Sequence, residues 1–133
     1  HNYATQENHN GENVWVHRKG ATLARSQTIG IIPGSMTTKS YIVQGKGNKE
    51  SFNSCSHGSG RNFSRTEAKR RVKENIDPSQ EFQLTNANVE LYGTRDAHDE
   101  LGTAYKDINN VMSNQQDLVD IVTELKPIAV LKG

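Results

Sequence analysis

The apolar residues of this chain come in runs no longer than a short strand, and nearly every run ends at glycine or proline. "NVWVHRKGA" at 13–21 stops at Gly20, and "TIGIIPGSM" is broken by Pro33 and Gly34. "SYIVQG" at 40–45 runs into the Gly45-Lys46-Gly47 loop, "NVELYG" at 88–93 stops at Gly93, and the chain closes on "KPIAVLKG", whose last side chain is Lys132. Such punctuated runs read as strands, with Val14 and Val16 on one face of the first and Trp15 on the other.

Two segments carry the helical period instead. Ser64 followed three residues later by Glu67 forms a capping box, which predicts a helix from about Arg65 to Asn75, stopped by Asp77-Pro78. "TAYKDINNVMSNQQDLVDIVTEL" at 103–125 places Tyr105, Ile108, Met112, Leu118, Ile121, Val122 and Leu125 at mostly helical spacing and predicts a second. The expected fold class is therefore α+β, a mixed sheet of short strands with two principal helices. Only 32% of the 133 residues are hydrophobic, low for a self-sufficient core, so the chain reads as part of something larger. No apolar run approaches the roughly 20 residues that span a bilayer, no secretory leader is visible, and the single cysteine, Cys55, cannot form an internal disulfide. A soluble, intracellular chain is expected.

Charge is unevenly distributed. Residues 1–73 hold 12 Lys or Arg against 4 Asp or Glu, a balance of +8, and residues 74–133 hold 4 against 11, a balance of −7. The densest basic stretch, "RNFSRTEAKRRVK", has six cations between Arg61 and Lys73 and suggests phosphate contacts made without sequence readout. A solvated helix face is the alternative.

Just before that stretch lies "SFNSCSHGSGRNFSR", residues 51–65, in which His57 precedes Gly58-Ser59-Gly60 and two arginines follow. Glycines let backbone N–H groups approach a bound anion, arginine forks match phosphate oxygens, and the predicted helix would turn its positive end toward the same place. A histidine so surrounded can work on a phosphoryl group. Cys55-Ser56-His57 could also be a Cys/His metal pair, but no second pair accompanies it, and Cys55 reads better as a small packed residue. His9 and His98 read as surface residues, and His17, Arg18 and Lys19 either as contacts to phosphates or as a solvated strand end.

"HNYA", "HRKGA", "IPGSM", "SYIV", "HGSGR" with "SR", "AYKDI" and a terminal "KG" occur in the order and approximate spacing of the C-terminal part of the RtcB family. These are GTP-dependent ligases that join an RNA 3′-phosphate or 2′,3′-cyclic phosphate to a 5′-hydroxyl. The resemblance covers residues 1–133 and implies one C-terminal ligase segment, with the N-terminal metal-binding part, bearing a D-x-x-C pattern and further histidines, outside it. It implies that His57 attacks GTP and holds GMP as a phosphoramidate, with Gly58, Ser59 and Gly60 lining the nucleotide pocket. Pro33, Gly34, Ser35, Met36 and Ser40 match the second nucleotide loop, and Lys132 matches the lysine that reads guanine. His1 matches a metal ligand, usually for Mn²⁺, and His1 and Asn2 also touch the nucleotide. Lys19, Arg61 and Arg65 are assigned to RNA phosphates. GTP and Mn²⁺ are thus the expected cofactors, RNA and the N-terminal ligase part the expected partners, and the cytoplasm the expected location, with no membrane. Thr37 stands where the family has glycine, and a β-branched residue is unfavourable there if that position takes positive φ. The alternative function is a catalytically incompetent nucleic-acid-binding fragment.

Overall fold

A computed structural model describes residues 2–93 and 96–133. Strands β1 (Asn2–His9) and β2 (Glu12–Lys19) form an antiparallel hairpin. Its two-residue turn is Asn10-Gly11, both at positive φ, as a turn matched to the right-handed strand twist requires. β3 (Ala21–Leu23) pairs with β6 (Ser54–Ser56), and β4 (Ile29–Ile32), β5 (Ser40–Gly45) and β8 (Val119–Leu125) form a three-stranded antiparallel sheet in the order β4-β5-β8. β7 (Glu90–Gly93) and β9 (Ala129–Lys132) pair in parallel. Helices α1 (Arg65–Lys73), α2 (Gln80–Ala87) and α3 (Ile108–Ser113) complete an α+β fold.

Among the described residues the strands are thus spread over four small sheets rather than joined in one mixed sheet. The second expected helix, read over 103–125, is cut to the 6 residues of α3. α3 ends at Ser113, a turn follows in which Gln115 O accepts from Leu118 N and Val119 N, and Val119–Leu125 is a strand paired to β5. Val119, Ile121, Val122 and Thr123 are β-branched, stiff at χ1 and suited to a pleated surface, and an available partner strand decides the matter. α2, read from the sequence as loop, is capped by Ser79, whose hydroxyl accepts from Phe82 N at 3.2 Å, and closed by left-handed Asn88.

α1 begins where the capping box places it, but the box is made from one side only. Ser64 Oγ accepts from Glu67 N at 3.1 Å, while the Glu67 carboxylate turns forward to Arg70. Asn75, at φ 57°, closes the helix.

Two apolar clusters hold these elements. The first joins Ile32, Tyr41, Val43 and Cys55 to Ile108, Met112 and Val119, so the cysteine is packed as expected, and burial pushes its thiol pKa up. The second gathers Met36, Val72, Leu84, Val89, Ala97 and Leu101. Two surface expectations fail on the hairpin. Arg18 is 2% exposed and Glu7 4%, and the pair is bonded through Arg18 Nη2 and Glu7 Oε2 at 3.0 Å, with a second bond through Nη1 and Oε1. His9 is likewise buried, its Nε2 2.9 Å from Glu7 Oε2 and its ring 4.9 Å from that of Phe52. Arg18 also donates to Ser54 Oγ and Phe52 O, so the buried cation fastens the hairpin to the loop that leads to His57.

Candidate active site around His57

β4 ends at Ile32, one residue before Pro33, and β6 ends at Ser56, one residue before His57; the two loops that follow lock together. The Pro33 carbonyl accepts from Ser59 N at 3.0 Å, and a β-carbon at Gly58 would lie 2.9 Å from that same carbonyl oxygen, so only glycine lets the loops approach this closely. Within the first loop, Gly34 N donates to Ser40 Oγ at 3.1 Å and Ser35 N to Thr38 Oγ1 at 2.7 Å. A β-carbon at Gly34 would meet Lys39 O at 2.0 Å. Ser40 therefore shapes the loop, and Met36 anchors it, its side chain buried in the second core beside Val72 and Leu101. Thr37 is not among the residues at positive φ, so its β-branched side chain meets no backbone strain there.

His57 is half-buried. Its backbone N–H donates to Gly20 O at 3.4 Å, and a β-carbon at Gly20, which takes φ +73°, would lie 3.9 Å from His57 Nδ1. The end of β2 is thus brought to the imidazole. Lys19 is exposed there, and the hairpin register sets Asn2 opposite it, with Asn2 Oδ1 3.1 Å from His17 Nε2. Behind the histidine, the buried amide of Gln115 grips Ser56, accepting from its N–H at 3.0 Å and donating to its hydroxyl at 2.8 Å. Nothing near Gln115 in the chain marks it for this task, because its partner lies 59 positions away.

On the other side Gly60, at φ +70°, accepts from Lys106 N, and Arg61 bridges to Tyr105. The Arg61 guanidinium donates to Asp99 O at 2.7 Å and to the Tyr105 hydroxyl at 3.0 Å, with its carbon 4.7 Å from the ring centroid. Two of its donors are therefore committed to the fold. Arg65 is exposed, with Nε 3.9 Å from Asp99 Oδ2, and Lys69 Nζ lies 3.6 Å from Asp99 Oδ1. Asp99 itself is 2% exposed and its Oδ1 has no hydrogen-bond partner, so this carboxylate acts on its cations through space. Lys132 Nζ is bonded to Glu100.

The candidate residues Asn2, Lys19, the 33–40 loop and the 57–60 turn are thus brought together, whereas Arg61, Arg65 and Lys132 are gathered on the Asp99-Glu100 turn. His1 lies outside the described residues. Among the described residues no group of three or more His, Cys, Asp or Glu side chains could hold a metal ion, so Mn²⁺ does not fit the described residues alone.

A glycine turn presenting an imidazole thus packs beside a second turn of small hydroxylated residues. The match to known proteins gives the family. The family model described as tRNA-splicing ligase RtcB matches residues 1–133, and the chain belongs to that family. It is 48% identical to the RNA-splicing ligase RtcB of Escherichia coli over the whole of this chain and 31% of that protein. It is 34% identical to the RNA-splicing ligase RtcB homolog 1 of Entamoeba histolytica and 35% identical to the tRNA-splicing ligase RtcB of Methanopyrus kandleri, covering 29% and 16% of their lengths. The chain spans less than a third of the curated relatives named here.

Proposed function

We propose that this chain carries the nucleotide-transfer histidine of a GTP-dependent RNA ligase that joins 3′-phosphate or 2′,3′-cyclic phosphate ends to 5′-hydroxyl ends, in tRNA splicing or RNA repair. The observation that carries the reading is the locking of the 33–40 loop to the 57–60 turn through Ser59 N and Pro33 O at 3.0 Å. A ring nitrogen of His57 attacks the α-phosphorus of GTP, forming a P–N bond as the bond to the bridging oxygen breaks and pyrophosphate leaves. The imidazole then yields GMP to the RNA 3′-phosphate, the P–N bond breaking as a P–O bond forms. Attack of the 5′-hydroxyl on the 3′-phosphorus closes the phosphodiester and expels GMP.

In this reading the backbones of Gly58, Ser59 and Gly60 and of Pro33, Gly34, Ser35 and Met36 line the nucleotide, Asn2 and Ser40 border it, and Lys132 reads the guanine carbonyl. A bound Mn²⁺ would neutralise phosphate charge, with His1 one ligand and the rest supplied by the N-terminal ligase part. RNA phosphates would be met by Lys19 and Arg65, whereas Arg61, expected with them from the sequence, is committed to Asp99 O and the Tyr105 hydroxyl. The reaction is assigned to the cytoplasm, and among the described residues no helix is long and apolar enough to cross a membrane.

The test mixes the chain with the part of the Escherichia coli relative that it does not match, together with α-labelled GTP and Mn²⁺. Label is expected on the mixture and not on the His57→Ala mixture; label retained by a folded His57→Ala variant overturns the assignment. The small share of its relatives that the chain covers keeps a second reading in view, a nucleic-acid-binding segment without activity. RNA binding without any label would favour it.

A further inference from the structure

We infer that the outer face of the β4-β5-β8 sheet is the surface on which the remainder of an RtcB ligase docks; this rests on the complementation by an N-terminal ligase part proposed above. The inner face carries Ile32, Tyr41 and Val43 into the first core. An antiparallel sheet with one face in water should alternate, apolar inward and polar outward. This one does not: the outward positions of β4 are Ile29 and Ile31, 60% and 62% exposed. Across from Ile31 stands Ile42, half-buried on the same face, and Leu125, registered opposite Ser40 on β8, lies diagonally from it. Ser40, Gln44, Thr123 and Asp120 take the outward positions around these four. An apolar centre with a polar border is the build of an interface. β4 and β8 are also the two outer strands of the sheet, with edges open to further pairing.

The occupant follows from length. All of this chain matches 31% of the Escherichia coli relative, so in that protein the matching segment is accompanied by twice its own length of further chain. A partner that completes the ligase covers the sheet without requiring a second copy of this chain.

The test uses Ile31→Lys. With the chain alone, thermal unfolding should be unchanged, because an exposed side chain has little packing to lose. Binding to the unmatched part of the Escherichia coli relative, measured by sedimentation or calorimetry, should weaken by about 100-fold. The same substitution in a chimaera in which this chain replaces the matching segment of that relative should lower Tm by at least about 5 °C. The chimaera decides the question even if the two pieces do not assemble when mixed. Unchanged binding or an unchanged chimaera Tm overturns the inference, as does early melting of the variant chain alone. A self-association of the chain abolished by Ile31→Lys, with the chimaera unaffected, would assign the face to a second copy instead. GMP transfer is not the readout. Docking that depends on Ile31 without label on His57 sinks the ligase reading alone, and label with docking indifferent to Ile31 sinks the docking surface alone.

Discussion

Gly58 and Gly60 are two residues apart and are glycines for different reasons. At Gly58 the constraint is a neighbour, since a β-carbon would lie 2.9 Å from Pro33 O; at Gly60 it is the backbone, at φ +70° with the nearest side-chain atom 4.0 Å away. Gly58→Ala should push the two loops apart, costing about 1–3 kcal/mol in thermal unfolding and, in the complemented enzyme, suppressing guanylylation of His57. Gly60→Ala should cost only about 1–2 kcal/mol, through its dihedral alone, and keep the Ser59–Pro33 bond. Equal loss of labelling in both would show that the approach of the loops is not what the site requires. The two arginines divide in the same way. Arg61→Gln should destabilise by about 1–3 kcal/mol because it abandons Asp99 O and the Tyr105 hydroxyl. Arg65→Gln, on an exposed side chain 3.9 Å from its nearest carboxylate oxygen, should leave the melting temperature almost unmoved while weakening RNA binding.

Elements were legible in the sequence where chemistry was local. β2, β4, β5, β7 and β9 stand where glycine and proline end apolar runs, and Ser64 marks α1 correctly although Glu67 answers Arg70 instead of the cap. β1, β3 and β6 carry polar or small residues such as Gln6, Thr22 and Ser54 and exist because a partner strand is present, which no window of sequence displays. The same holds for β8, where helical spacing lost to pairing with β5. At the site, the locked loops could be located from their glycines, but Gln115 and Tyr105 reach it from 59 and 44 positions away. The hairpin's buried pair was hidden by composition, since Arg18 within "HRK" resembles a solvated cation. That pair makes a pH prediction. Arg18 holds the Glu7 carboxyl down at about 2, from 4.5, against the opposing pull of burial. A lowered folded pKa contributes stability that is complete above about 4.5 and is lost as pH falls toward 2, on the order of 3 kcal/mol in all. Acid titration of unfolding free energy should show this slope in the chain and lose it in Glu7→Gln, which should also be less stable at neutral pH. An identical acid slope in both would place the responsible carboxylate elsewhere.

Across the whole molecule, the basic front and the acidic back of the sequence are folded against each other. Lys39 meets Glu124 at 2.7 Å, Lys46 meets Asp120 at 3.0 Å, Arg71 meets Asp77 at 2.9 Å, and Lys69 and Arg65 face Asp99. Of these, Lys39–Glu124 and Lys46–Asp120 are exposed and add little stability, at most about 1 kcal/mol each, but all of the pairs alter what the cations can do for a polyanion. Of the six basic residues from Arg61 to Lys73, Arg61 is bonded to Asp99 O and Tyr105, Arg70 to Glu67 and Glu74, and Arg71 to Asp77. Were all six to neutralise phosphates of single-stranded RNA, the logarithm of the binding constant would fall against that of salt with a slope of about 4, at roughly 0.7 per contact. With three committed within the fold, the expected slope from this segment is about 2, supplied by Arg65, Lys69 and Lys73. Measured by fluorescence anisotropy between low and moderate salt, Arg65→Gln should remove about 0.7 of that slope and Arg70→Gln almost none. A slope near 4, reduced equally by either substitution, would mean that RNA breaks the internal pairs on binding and that the charge balance of the isolated fold does not govern recognition.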